Sequence, residues 1–300
     1  MKAATVVSYG GPEVLTVCDV SMPRPGPDEA LVAVVASTVN PVDVKFRVPG
    51  TSQVISQFPA SLGWDLAGVV VTAPVGSGWV PGDRVIAMYP PQADGAGCWQ
   101  RYIALPAGLL APAPESVDLS TAASLPLTAL TADQALEKLD LRQGERLLVT
   151  GAAGGVGGMA IQLVSRADVE VVGLVRDPGH GPVVLDLGAD TVASDPAGIG
   201  SFEAVLDTAG VFTYPHVLRE GGRLVTVSDD VIPEQLAHRA SSAMHNYVSH
   251  DPRRLRELST LVDTGELQLC VAARYPLHAI RKAHHHVEGG GLVGKVVITM

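Results

Sequence analysis

Apolar positions along this chain fall into two regimes. In the N-terminal third they form short Val-, Ala- and Ile-rich runs at 30–39, 68–73 and 84–88. Between the runs lie Gly10-Gly11-Pro12, Pro23-Arg24-Pro25-Gly26-Pro27 and Pro81-Gly82-Asp83. Pro cannot donate to a ladder and Gly has no side chain to pack, so this punctuation predicts short strands and turns in a barrel-like all-β unit. Past Leu119 the period lengthens. Ser120 signals the N-cap of a short helix to 123, and 127–138 continues with helical spacing. From Arg146 the two patterns alternate, with strands at 147–150, 169–175, 204–207 and 223–227 and helices at 156–165 and 183–187. Near-continuous apolar strands separated by helices predict a parallel sheet covered on both faces. An amphipathic helix follows at 253–264, stopped by Gly265, then a helix at 277–287 and a last strand at 296–299. That last strand and the β-rich start can form one unit with the α/β unit inserted between them.

Composition narrows the function classes. The 300 residues are 47% hydrophobic and 17% charged, enough for one large domain or two ordinary ones. The net charge of −10, with scattered Lys and Arg, excludes nucleic acid as a partner. Cys18, Cys98 and Cys270 are far apart, which excludes a disulfide framework and a four-cysteine zinc site, and none lies in a Cys/His motif that marks a nucleophile. The opening residues 1–7 are too short in their apolar run for a signal peptide, and no apolar stretch approaches a membrane span. A soluble cytoplasmic protein with no membrane partner is expected.

The chemistry concentrates in Thr150-Gly151-Ala152-Ala153-Gly154-Gly155-Val156-Gly157, between a predicted strand and a predicted helix. A helix N-terminus presents free N–H groups and a positive dipole end, and glycines let the backbone approach a pyrophosphate. The strand–turn–helix context turns this run, Ala152-x-Gly154-x-x-Gly157, into a dinucleotide signature with Ala in the first glycine's place. An acidic residue ending the second strand would hold a ribose 2′-hydroxyl. Here Val175 stands there and Arg176 follows. Arg176 suits a 2′-phosphate, and hence NADPH; pairing with the adjacent Asp177 is the alternative.

Further segments add to the turn: Gly10-Gly11-Pro12-Glu13-Val14-Leu15, Val39-Asn40-Pro41-Val42-Asp43, Leu62-Gly63-Trp64-Asp65-Leu66-Ala67-Gly68, Gly82-Asp83-Arg84-Val85, Leu125-Pro126-Leu127-Thr128-Ala129-Leu130-Thr131-Ala132 and Gly294-Lys295-Val296-Val297. Together they resemble the medium-chain dehydrogenase/reductase superfamily, in its zinc-independent quinone oxidoreductase (zeta-crystallin-like) branch. The resemblance implies an α/β protein: a GroES-like β-barrel catalytic domain from 1–118 and 274–300, and a Rossmann doubly wound parallel sheet over 119–273. It implies NADPH in the cleft between them and hydride transfer to a quinone, enone or similar activated double bond, in a homodimer. Zinc-dependent relatives place Cys near Asn40 and His at Trp64; Asn and Trp are not the usual N/S zinc ligands, so no metal is expected.

The same resemblance, residue by residue, yields the candidate site. Asn40 lies beside the nicotinamide, or is only an Asn-Pro turn former. Lys45 donates a hydrogen bond or reaches a phosphate, or is an exposed lysine. Thr131 contacts the nicotinamide side, or bonds its own helix. Asn40 and Thr131 are the expected catalytic pair. The expected cofactor contacts also include Gly151, Ala152, Ala153, Gly154, Gly155, Val156 and Arg176. Asp207, Thr208 and Ser228 join them at strand ends, with Tyr247 and Val248 near the nicotinamide and Lys295 in the end motif. His284-His285-His286, about 100° apart around a helix, cannot converge on one ion and reads as a solvated face. Loops 49–58 and 89–97 are expected to set substrate choice. A pathway-specific enoyl reductase and a non-catalytic NADPH-binding protein are the alternative functions.

Overall fold

The computed structural model describes residues 1–50, 55–91, 95–165, 167–210 and 214–300. Loops 49–58 and 89–97 therefore lie partly outside the described residues. The chain divides into two units: Met1–Leu127, His250–Gly265 and Leu269–Met300 make the first, Thr128–Ser249 and Glu266–Gln268 the second.

The first unit begins with β1 (Lys2–Val6) and β2 (Leu15–Asp19), an antiparallel pair. Then come β3 (Glu29–Val39), helix α1 (Pro41–Arg47), β4 (Asp65–Thr72), β5 (Arg84–Met88), β6 (Tyr102–Pro106) and β7 (Ala111–Pro112). Helices α2 (Leu119–Ala122) and α3 (Pro126–Leu139) lead into the second unit. The cap of α2 is Asp118, whose carboxylate accepts the Thr121 N–H. Ser120, expected to cap, donates to that carboxylate from inside the helix. The carboxylate gives the helix's positive end a full charge, which a hydroxyl cannot.

The second unit contains β8 (Arg146–Thr150), α4 (Gly155–Val164), β9 (Glu170–Leu174), α5 (Gly181–Asp186), β10 (Thr191–Ala193), β11 (Phe202–Asp207), β12 (Leu218–Thr226), α6 (Glu234–Arg239) and β13 (Ser242–His245). The strands pair in parallel in the order β10-β9-β8-β11-β12-β13. This is the Rossmann order, and it reverses at β8 and β11, where such sheets bind their ligands beyond the strand ends. Phe202, Leu148, Val172, Val205 and Leu224 fill the core on one face.

The chain returns to the first unit as α7 (Pro252–Asp263), β14 (Val271–Pro276), α8 (Ile280–Gly289) and β15 (Lys295–Thr299). Strand β15 pairs antiparallel with β3, Val296 opposite Val39, so the last strand closes onto the β-rich start. Helix α7 sits with the first unit, whereas the sequence assigned 119–273 to the second. Ser116 explains the placement: its N–H donates to Asp263 (2.8 Å) and its hydroxyl to the Val262 carbonyl.

The histidine run needs a correction. His284 is buried, its ring edge-on to the fully buried Trp99 at 5.0 Å between centroids. It shares the apolar face of α8 with Ile280 and Ala283 at helical spacing, which outranks its polarity. His285 is exposed, and His286 meets the Tyr275 hydroxyl at 3.0 Å, so the three rings do point apart.

Candidate functional site

In the second unit the chain leaves β8 through a turn that only small residues allow. Gly151 takes φ +59°, and a Cβ on Gly157 would lie 2.4 Å from the Gly151 carbonyl oxygen. Ala152 is buried, and its N–H donates to Leu174 at the end of β9 (3.2 Å). A Cβ on Gly173, in the middle of β9, would meet the Ala152 methyl at 3.0 Å and Val184 at 2.5 Å. The methyl therefore takes room that Gly173 leaves, which accounts for Ala in the first glycine's place. Ala153 is buried, whereas Gly154, Gly155 and Val156, at the start of α4, are partly open. The Gly154 N–H donates to the Gly151 carbonyl (2.8 Å), which leaves those of Gly155 and Val156, in the first turn of α4, with this glycine cradle to fit a pyrophosphate.

Around the turn, the side chains at the carboxyl ends of three strands interlock. Thr150 Oγ1 donates to Asp207 Oδ1 (2.6 Å) and accepts from the Thr208 N–H (3.0 Å). Thr208 Oγ1 donates to the Thr150 carbonyl (2.6 Å), and Thr226 Oγ1 donates to Asp207 Oδ2 (2.9 Å). Asp207 is 2% exposed, so its carboxylate faces the fold interior and not the open strand edge where a cofactor contact was expected. Ser228 is half-buried and its hydroxyl donates to Asp230 (2.6 Å).

Val175 is buried, and Arg176 is exposed with no hydrogen bond or ion pair among the described residues. Asp177 does not pair with it. Its carboxylate accepts the Gly179 N–H (2.9 Å) and lies 3.8 Å from His180. Thr131 is buried in α3, and its carbonyl accepts from Asn246 Nδ2 (3.0 Å), whose own Oδ1 accepts from Lys138 (2.7 Å). Sequence reasoning passed over Asn246, because nothing marks it apart from being a polar residue after a short strand. Next to it Tyr247 is 70% exposed and stacks on His245, while Val248 is half-buried.

In the first unit, Asn40 caps α1 at the end of β3. Its Nδ2 donates to Asp65 (2.9 Å) and Thr38 (3.2 Å), and its Oδ1 accepts from the Lys295 ammonium. Asp43 accepts from the N–H groups of Asn40 (2.8 Å) and Gly63 (3.0 Å), and Asp65 from the Leu127 N–H (2.8 Å). Thr38, Asn40, Asp43 and Asp65 are fully buried, and Lys295 nearly so. Burial pushes the Asp43 carboxyl up to about 7, against the pull of its hydrogen bonds and Lys295. Burial likewise pulls the Lys295 ammonium below the usual lysine range, and Asp65 and Asp43 oppose that. Asn40 and Lys295 thus belong to an internal network, while Lys45, one turn into α1, is half-buried. Asp43 and Asp65 were not singled out from sequence. The Asn-Pro-x-Asp spacing, with a carboxylate at the third helical position, was the available signal for Asp43.

The chain matches the family model for an alcohol dehydrogenase GroES-like domain over 26–115 and that for a zinc-binding dehydrogenase over 179–298. It is 30% identical to an NADPH-dependent alkenal/one oxidoreductase of Arabidopsis thaliana, over 99% of this chain and 79% of that protein. The solved quinone oxidoreductase of Coxiella burnetii superposes with a TM-score of 0.90 at 26% identity, covering 100% of this chain and 99% of that one. A mycobacterial protein solved with NADPH superposes at 0.85, with 28% identity and full coverage of both chains. The word zinc in the second family description poses a test of the donor set. Asn40 and Asp65 are spent on each other, Trp64 has no ligating atom, and among the described residues no three His, Cys, Asp or Glu side chains converge to hold a metal. These residues do not fit a zinc ion. The GroES-like β unit, the Rossmann sheet and these likenesses together place the chain in the medium-chain dehydrogenase/reductase superfamily.

Proposed function

We propose that the protein is an NADPH-dependent oxidoreductase that reduces quinones, enones or similar activated double bonds without a metal. The observation that carries this reading is the glycine cradle at the sheet's switch point with Arg176, unpaired among the described residues, at the end of the next strand. In the second unit, the backbone from Gly151 to Val156 cradles the pyrophosphate, with the N–H groups of Gly155 and Val156 turned to it, and Arg176 meets the 2′-phosphate. Thr208 and Ser228 line the strand edge, and Thr131, Tyr247 and Val248 lie toward the nicotinamide. In the first unit, Asn40 and Lys295 shape the start of α1, and Lys45 on that helix donates to a substrate oxygen or a phosphate.

Bound NADPH supplies a hydride. The chain's part is to hold the acceptor in contact and keep water from competing, which alone is worth several orders of magnitude in rate. An acceptor conjugated to a carbonyl is already electrophilic, so the proton that completes its reduction can come from solvent. The names of its relatives, an NADPH-dependent alkenal/one oxidoreductase and a quinone oxidoreductase, support this substrate class. We further propose a cytoplasmic homodimer.

The test is NADPH consumption at 340 nm with a panel of enones and with 9,10-phenanthrenequinone. Turnover with members of either class is expected. Tight NADPH binding with no turnover on any of them would replace this reading with a non-catalytic or single-substrate protein.

A further inference from the structure

One carboxylate holds the loops that leave three strands. Asp207, the last residue of β11, accepts from Thr150 at the end of β8 and from Thr226 at the end of β12. It also accepts the N–H of Gly210 at 2.9 Å to one oxygen and 3.1 Å to the other. Each threonine passes the restraint on. Thr150 Oγ1 accepts the Thr208 N–H (3.0 Å), and Thr226 Oγ1 accepts the Ser228 N–H (3.0 Å). The segments fixed in this way, starting at Gly151, Thr208 and Ser228, are those proposed to meet the cofactor. Asp207, Thr150 and Thr226 are themselves buried, so none of the three side chains faces a ligand. In a site of low dielectric, bonds to an ionised carboxylate are the stronger kind, and an amide in its place has one acceptor oxygen for two hydroxyl donors.

We propose that Asp207 is a positioning residue for NADPH binding, acting through Thr150 and Thr226 to set the glycine-rich turn and the two neighbouring loops. This rests on the proposed NADPH binding. Thr226 gives the cleanest test, since it is two strands from the turn and, among the described residues, its hydroxyl is linked to it through Asp207. Thr226→Val keeps the shape and removes the hydroxyl; Thr226→Ser keeps the hydroxyl. Thr226→Val and Asp207→Asn are each expected to raise the NADPH Kd at least fivefold. The value of kcat at saturating NADPH should change less than twofold, and Thr226→Ser should restore binding. Amide exchange measured without cofactor gives a second readout: in Thr226→Val it should quicken in the peptide carrying Gly151 to Val156. The proposal is overturned if Thr226→Val binds NADPH as the native protein does. It is equally overturned if the exchange change stays confined to β12. Should the native protein itself not bind NADPH, the cofactor reading fails, and the exchange pattern alone decides whether the clamp exists. Should Asp207→Asn not fold, Thr226→Val carries the test.

Discussion

At the scale of single residues, Arg176 carries the proposed preference for NADPH. Its guanidinium is exposed and has no ion pair among the described residues, the residue before it is apolar, and the adjacent acid, Asp177, is engaged by a backbone N–H. A guanidinium bound to a phosphate contributes charge-assisted bonds that a 2′-hydroxyl cannot reproduce. Arg176→Ala is therefore expected to raise the KM for NADPH about tenfold while that for NADH stays nearly constant, in line with about 1.4 kcal/mol per tenfold. Equal effects on both cofactors would remove the assignment. The Val175-Arg176 pair was legible in sequence because strand period and a glycine signature fix where the second strand must end. The inward turn of Asp207 was not legible, because which face of a strand end a carboxylate takes depends on hydroxyls contributed by two other strands.

At the scale of the element, α8 shows how a face outweighs a residue's polarity. Neither ring nitrogen of His284 has a partner among the described residues, and burial, with Arg47 and His285 nearby, pulls its pKa down to about 3. Glu288 pairs with that Arg47. The ring is neutral in the folded protein but titrates near 6.5 when unfolded, so between those values the unfolded chain binds more protons and stability falls as pH falls. At pH 5 the loss through this ring is about 2 kcal/mol relative to neutral pH. His284→Phe keeps an aromatic edge against Trp99 and removes two unpaired polar atoms. It is expected to match or exceed native stability at pH 7.5 and to exceed it clearly at pH 5, in urea denaturation at both values. An equal margin at the two pH values would show that the ring is not held neutral. Asp43 titrates with the opposite sign, and the comparison between the two proteins cancels it. The helix itself was visible in the spacing of its apolar residues. The inward side chain was not, because three histidines in a row look polar on every face.

At the scale of the whole molecule, the order of motifs announced both units, and the alternation of strand and helix announced the parallel sheet. Several short strands were missed, among them β10, β13 and β14, which have neither a long apolar run nor enough residues to show alternation. One of them bears on assembly. β13 ends the six-stranded sheet, and Met244 within it and Tyr247 beyond it are exposed. An open strand edge beside apolar side chains is a template for pairing. A homodimer is expected in sedimentation equilibrium at micromolar concentration, and charged substitution at Met244 should shift it toward monomer. A native protein that sediments as a monomer at those concentrations would dismiss the dimer.

The pairing of β15 with β3 also imposes an order in time. Val39 leaves the ribosome early, and its partner Val296 leaves among the last residues of this sequence. The second unit, nearly all of it the unbroken stretch 128–249, has every strand of its sheet in hand well before that moment. Synthesis proceeds at about 5–20 residues per second. The first unit therefore waits several seconds or more with an open sheet edge on β3, while the unit inserted in its midst is free to fold. A pause or stop in translation just short of Lys295 would leave a formed nucleotide fold attached to an unclosed β unit, and it is that species that chaperones are expected to capture.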